Sequence, residues 1–312
     1  MDKQTELLRD VRLALQNNDY QQAIRSLEQV VELAHERGDS GAEGRHLGNL
    51  ALTYYRLNQA DKALASFQRA LQCARAENDR MMENGLLGNM GNILRELGRL
   101  DEAEKYLNEA LLIAQALGDV RGRGIWLSNL GLVRDDLNDP QQALPLHEKS
   151  IKIARQLQDK IALVSRLGNL GNTYVTLEQY EKALPPFKEA VTIFGELGRR
   201  ADVALREGII GNLHAAIGRQ LLPADAAYEH FSQALDYYGR AMHAMRELGD
   251  ANSEAEVIRS IGHVLADAGQ YDDAANYLDV AQQMFDALGL KKEADHSRKT
   301  LKRLIEFLEA QN

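Results

Sequence analysis

The sequence predicts an all-α fold: seven helix pairs in series, closed by a C-terminal capping helix. Three observations carry this expectation. The 312 residues repeat at a spacing of 40. Apolar residues within each copy fall at helical intervals, and no stretch alternates apolar and polar residues as a half-buried strand would. A chain of this length would ordinarily divide into two domains, because single cores stop growing near ~250–300 residues. Stacked repeats escape that limit by sharing one elongated core, so a single solenoid is expected over residues 1–312.

The copies occupy 1–40, 41–80, 81–120, 121–160, 161–200, 201–251 and 252–291, with the cap at 292–312. The first is degenerate and keeps the pattern only in its second half, at Tyr20, Ala23, Ile24 and Leu27. The next four align phrase by phrase from Gly48, Gly88, Ser128 and Gly168. In their first helices one face is Leu47, Leu50, Tyr54, Leu57, then Leu87, Met90, Leu94, Leu97, then Leu167, Leu170, Tyr174, Leu177. In a second helix the face is Ala183, Leu184, Phe187, Ala190, Val191, Phe194. Gly98-Arg99 and Gly118-Asp119 punctuate the helices, since glycine readily ends them. Pro145, Pro185 and Pro186 fall inside second helices, where each removes an internal hydrogen bond and predicts a kink.

Small residues recur at fixed phases. Gly91, Gly131, Gly171, Gly211 and Gly262 share one, and Ala63, Ala103, Ala143, Ala183, Ala234 and Ala274 another. Glycine within a helix costs about 0.5–1 kcal/mol relative to alanine. Its repetition therefore predicts close approach of the paired helix at the small alanine, with Phe67, Phe187 and Tyr238 filling the wider part of the contact.

The phrase Leu170-Gly171, Tyr174, Ala183, Phe187, Ala190 is similar to the tetratricopeptide repeat (TPR) pattern, residue by residue. The likeness covers nearly the whole chain. HEAT and armadillo repeats have a comparable length but lack the glycine-against-alanine pairing. The usual TPR period is 34, and the 40-residue form with its Gly-Asn-Leu-Gly-Asn phrase resembles Pins-type adaptors and kinesin light chains. The resemblance implies a right-handed superhelix whose first helices line a concave groove, and a non-catalytic role in protein binding.

The sixth copy carries 11 extra residues between Gly218 and Ala234. Eleven residues make about three helical turns, and Pro223 suits a first helical position. The reading is a three-turn N-terminal extension of the second helix. In the tail, Leu301, Leu304, Ile305 and Leu308 share one face, as a cap over the last repeat requires.

Composition excludes several functions. One cysteine rules out a disulfide scaffold or a multi-cysteine zinc site. The polar start and the absence of a long apolar run predict a cytoplasmic protein without a secretory signal or membrane span. A net charge of −9 argues against nucleic acid as partner. No phosphate-binding loop or HExxH is present, so no enzyme activity, metal or cofactor is expected. Asp135, Asp136 and Asp139 lack calcium-loop spacing, and His214, His263 and Cys73 read as packing residues.

Asparagine supplies the positive signal. Asn49, Asn89, Asn129 and Asn169 share a phase, and Asn92, Asn172 and Asn212 another three residues on. The two phases hold 7 of 17 asparagines, where even scattering would leave about one. The i, i+3 spacing puts them on one stripe, together with Gly48, Gly88, Gly168 and Gly208, which predicts a shallow surface. A carboxamide donates and accepts, and so can clamp a peptide backbone; the alternative is bonding between neighbouring first helices. Outer positions carry Arg12, Arg45, Arg56 and Arg95 against Glu96 in the first three units, and Asp135, Asp136, Glu256 and Asp267 in the last four. The expected ligand is therefore a protein or peptide with an acidic segment, held by the asparagines and by Arg45, Arg56 and Arg95 of a monomeric adaptor. Two rivals are an effector-binding sensor, reported by the lone Trp126, and a self-assembling scaffold.

Overall fold

The structure, a computed structural model, describes residues 3–311. Met1 and Asp2 of the first repeat and Asn312 of the cap segment lie outside the described residues. Every described element is an α-helix, and contacts group the helices into two compact units that meet at Leu157 and Gln158. The first unit holds α1 (Lys3–Gln16), α2 (Tyr20–Glu36), α3 (Ser40–Arg56), α4 (Ala60–Ala76), α5 (Arg80–Glu96), α6 (Leu100–Ala116), α7 (Val120–Asp136) and α8 (Pro140–Gln156). The second holds α9 (Lys160–Thr176), α10 (Tyr180–Glu196), α11 (Arg200–Leu221), α12 (Asp225–Leu248), α13 (Ala251–Asp267), α14 (Tyr271–Ala287) and α15 (Lys291–Gln311).

The 40-residue period resolves into two half-periods of 20. From α2 to α10 each helix has 17 residues, followed by a three-residue link. The middle residue of the link turns left-handed: Gly98 stands at φ 73° and Asn58 at φ 57°. Asparagine tolerates that region and glycine pays nothing for it. The last residue of the link is often an aspartate cap. Asp39 Oδ1 accepts the Ala42 amide at 2.8 Å, and Asp19, Asp79, Asp119, Asp139, Asp159 and Asp250 repeat the arrangement. Each such cap is worth about 1 kcal/mol.

The repeated glycines pack against the large side chain of the partner helix. A Cβ on Gly91 would lie 2.6 Å from Leu107, one on Gly171 2.5 Å from Phe187, and one on Gly211 2.7 Å from Tyr238. The carbonyls of Ala103 and Ala274 stand 3.2 Å from the Cβ positions of Gly91 and Gly262, so the alanine marks where the backbones converge, as expected. In the fourth copy the large residue is His147, fully buried over Gly131, with Nε2 2.9 Å from Asp135 Oδ2. Helices α8 and α10 run continuously through Pro145, Pro185 and Pro186.

Joints between successive repeats carry a feature absent from the periodic reading. Glu43, Glu83 and Glu254 are buried in the first turn of α3, α5 and α13. They pair across the joint with His35 at 3.0 Å, Arg75 at 2.7 Å and Arg246 at 2.7 Å. The same phase holds Arg123 in α7, Leu163 in α9 and Val203 in α11, so the glutamate pairing is missing from these joints.

Two expectations need correction. The insertion does not extend one helix. α11 reaches 22 residues and α12 reaches 24, so both members of the pair lengthen. Pro223 lies in the turn before α12, not inside it. Gly218 against Phe231 at 2.5 Å repeats the glycine contact in the added length, which is what lets both helices grow together. In the cap, the covered face runs through Ala294, Ser297, Leu301, Leu304 and Leu308, while Ile305 is exposed. The steeper face follows from packing onto α14 through Ala294 beside Phe285.

Candidate functional site

The asparagine stripe splits into residues with different tasks. In the first unit Asn49 is exposed and Asn89 half-buried, and both line a cleft of about 380 Å³ between α3 and α5. Gly44, Gly48 and Gly85 form its backbone-lined floor, Leu52, Met82 and Leu86 its apolar wall, and Arg45 its rim. A Cβ at Gly85 would meet nothing within 4 Å. Among the described residues Asn49, Asn89 and Asn92 make no side-chain hydrogen bond, and Arg45 makes no ion pair. Asn92 lies beyond the cleft, and Asn129 buries its amide nitrogen without a partner.

In the second unit Asn169 is half-buried and Asn172 exposed. Asn212 is partly committed, since its Oδ1 accepts the Tyr238 hydroxyl at 2.6 Å. Burial pushes that hydroxyl up to about 12, so it stays a donor. Asn212 also lines a cleft of about 270 Å³ with Leu205, Gly208, Ile209, Val257 and Glu256.

The glycine stripe is not uniformly shallow. At three of its four glycines the first helix of the following repeat sends a side chain across it, 38 residues on, and Gly208 alone of the four stays open. Leu86 lies 3.4 Å from the Cβ position of Gly48, and Arg206 Nη2 lies 3.6 Å from that of Gly168. At Gly88 the plug is Trp126, whose ring would stand 2.1 Å from a Cβ. Trp126 is 7% exposed and donates from Nε1 to Asn84 Oδ1 at 2.7 Å. Asn84 in turn donates to Asp119 Oδ2 at 3.3 Å, the cap of α7. The asparagine that joins neighbouring first helices is therefore Asn84, outside both expected phases. Its signal was an amide where other copies carry Gly44, Gly124 or Ala204. Trp126 accordingly reports the α5/α7 joint, not an open groove, which removes it as a probe for an effector.

The division into basic and acidic halves also needs correction. Arg95 pairs with Asp136 at 2.9 Å, so charges assigned to opposite halves neutralise each other. Arg56 rests on Tyr20, with its guanidinium 5.7 Å from the ring centre. Asp267 pairs with Arg219 at 2.6 Å, and Glu256 pairs with Arg259. Of the arginines expected in the ligand site, Arg45, Arg56 and Arg95, only Arg45 thus remains without a described partner. His46 beside it is held below the usual imidazole range by burial first and by the Arg45 charge second. The three aspartates without calcium-loop spacing serve separate bonds: Asp135 with His147, Asp136 with Arg95, and Asp139 as the cap of α8. Among the described residues no group of three or more His, Cys, Asp or Glu could hold a metal ion, and no helix is long and apolar enough to cross a membrane.

The tetratricopeptide repeat pattern matches residues 12–76, 83–156 and 163–197, together more than half of the chain. The chain belongs to the tetratricopeptide repeat family. The fold of this TPR protein is shared by BtubC (BKLC) from P. vanneervenii, at 20% identity and a TM-score of 0.62 over 78% of this chain and 92% of that one. RapI in its apo form matches at 14% identity and a TM-score of 0.65, covering 98% and 99%. A kinesin light chain-like protein of Podosopora anserina with nearly identical TPR-like repeats matches at 18% and 0.55, covering 64% and 99%. At these identities the likeness is one of fold. The comparison with curated proteins gives no match. As a TPR protein the chain is a protein-interaction module.

Proposed function

We propose that this TPR protein is a non-catalytic, cytoplasmic adaptor, monomeric by itself, that holds a peptide segment of a partner protein against its first helices, beginning in the α3/α5 cleft. The observation that carries the proposal is the gathering of Asn49, Asn89 and Arg45 around a floor of three glycines. A peptide backbone can approach such a floor closely, and the two carboxamides offer it both donors and acceptors. Leu52, Met82 and Leu86 add an apolar wall for a side-chain anchor.

Magnitudes set the character of the binding. Two carboxamide contacts contribute about 0.5–1.5 kcal/mol each, while ordering a disordered segment costs roughly 2–5 kcal/mol. The amides alone cannot hold a ligand. Affinity must come from the apolar anchor and from Arg45, with the amides fixing orientation. Peptides selected from a random display library against the whole protein provide the probe. Asn49→Ala with Asn89→Ala should weaken their binding about tenfold while Tm stays within about 2 °C, since neither side chain is spent on the fold. A large fall in Tm with unchanged affinity would refute the reading and make the asparagines structural.

A further inference from the structure

The residues added to the sixth copy do more than lengthen a helix pair. A first helix of the regular 17 residues would end α11 at Ala216. The added turn, residues 217–221, continues past that point and lies beside the link between α9 and α10, where the two enclose a cleft of about 220 Å³. Everything that α11 contributes to this cleft, Ile217, Gln220 and Leu221, belongs to the added turn, and the i, i+3, i+4 spacing puts the three on one face. Tyr180, the first residue of α10, adds its ring, and Glu178 and Glu181 add two exposed carboxylates. Neither carboxylate has a partner among the described residues, whereas the lining cation, Lys182, donates to Gln179 Oε1 at 3.0 Å. Glu178 is also the middle residue of its link, at φ 55°, and every other left-handed link position except Gln158 is glycine or asparagine. Side chains other than asparagine and aspartate rarely adopt that conformation, so local structure disfavours the residue that brings a carboxylate to the cleft.

We propose that this cleft is a second contact surface, a seat for an arginine side chain of a partner protein. An arginine lays its aliphatic stem along apolar surface while its charged head stays in water. Ile217 and Leu221 supply that surface, and Glu178 and Glu181 supply acceptors for the guanidinium, whose planar fork matches a carboxylate with two donors. The Tyr180 ring offers the cation a π face. Both carboxylates are exposed, so a ligand reaches them without opening the fold. Leu222, next in the chain after the cleft, is 41% exposed, and it favours an apolar residue beside the arginine. Exposed ion pairs are weak and screened by salt, so the seat discriminates between ligands more than it holds them. The proposal goes beyond the α3/α5 reading and uses none of its residues. It gives the insertion a task that neither the core nor the helix caps explain.

The test titrates full-length protein, at constant ionic strength, with the blocked pentapeptide Ala-Leu-Arg-Leu-Ala, with its citrulline counterpart, and with spermidine. The backbone amides of Tyr180 and Leu221 are followed by NMR. Citrulline keeps the shape of arginine and removes the charge. The expected result is a saturable shift of both amides, at least about fivefold more sensitive to the arginine peptide. Glu178→Gln with Glu181→Gln should bring the arginine peptide down to the citrulline level. Glu178→Gly separates binding from folding. Glycine takes the left-handed conformation without steric cost, so Tm should hold or rise while sensitivity to the arginine peptide falls about threefold. A silent Leu221 amide, an equal response to both peptides, or a response that survives in the double variant overturns the proposal. Unchanged binding in Glu178→Gly would overturn it too. A response to spermidine as strong as that to the arginine peptide overturns the assignment to a partner protein. The side-chain amides of Asn49 and Asn89 report the α3/α5 cleft in the same spectra, so either reading can fail while the other stands.

Discussion

Trp126 in the first unit and Arg206 in the second stand at the same phase of the repeat, on equivalent backbones, each over a glycine of the preceding copy. One is finished: its ring fills the slot and its N–H is bonded to a buried Asn84, 3% exposed. The other leaves a donor without a partner. Either side chain fills its slot, whereas over Gly208 nothing stands within 4 Å of a Cβ position. Only the completed one is explained by the fold alone.

The two glycines beneath these plugs offer the largest contrast. Gly88→Ala places a Cβ 2.1–2.4 Å from the rigid Trp126 ring. Overpacking of this kind should cost about 2–3 kcal/mol, seen as a lower urea midpoint. Gly168→Ala meets Arg206 only at ordinary contact distance. It should gain about 0.5–1 kcal/mol from helix propensity. Equal effects at both positions would mean that the slots are not filled as described.

Acidification should distinguish the two units. Burial, with Lys188 and then His230 adding to it, lowers His214 to about 4. It lies with Nδ1 3.0 Å from that of His230, at the α11/α12 pair. The unfolded chain binds the proton near 6.5, so the stability tied to neutral His214 is complete above that pH. It is lost as pH falls from 6.5 towards about 4, by roughly 2 kcal/mol at pH 5. In the first unit His35 is raised, chiefly by its hydrogen bond to Glu43. Its contribution is complete below 6.5 and disappears as pH rises through the raised value. Hydrogen exchange at pH 7 and pH 5 should therefore show protection falling along α11 and α12 but not at the α2/α3 joint. His214→Phe should flatten the response of the second unit.

Smaller still is the effect of the hydrogen bond that completes the Trp126 slot. Asn84→Ala should cost about 1–2 kcal/mol by leaving the indole N–H unsatisfied. Arg206→Leu should lie within about 0.5 kcal/mol of the parent, or above it, since no bond is broken. If Arg206→Leu proved as damaging as Asn84→Ala, the guanidinium would have a structural role.

Much of this was legible in the sequence and some was not, for identifiable reasons. Helix faces, the glycine contacts and the asparagine phases depend on spacings within one copy, and those were readable at Leu170, Gly171 and Phe187. The links were half-readable, because Gly98 announces a left-handed turn while Glu178 takes φ 55° with no compositional sign. The plugs and the buried Glu83–Arg75 joint depend on which side chain of the next copy arrives, and no periodicity encodes that. The extension was misread because one proline was weighed above the glycine at Gly218, which admits Phe231 and lets both helices lengthen. The charge halves failed for a related cause: Arg95 and Asp136 were counted by repeat, and helices bond across repeats.

The central claim is that a partner segment lies on the first helices at the α3/α5 cleft. Photo-crosslinking with the selected peptide tests this most directly, using a benzoyl-phenylalanine introduced at Leu52 in one variant and at Leu112 in another. Leu52 lines the cleft and is 41% exposed, whereas Leu112 on α6 is 66% exposed and lines none of the clefts described. The account predicts an adduct from position 52 that excess unlabelled peptide suppresses, and none from the more accessible position 112. An adduct from 112, or none from 52, would contradict it.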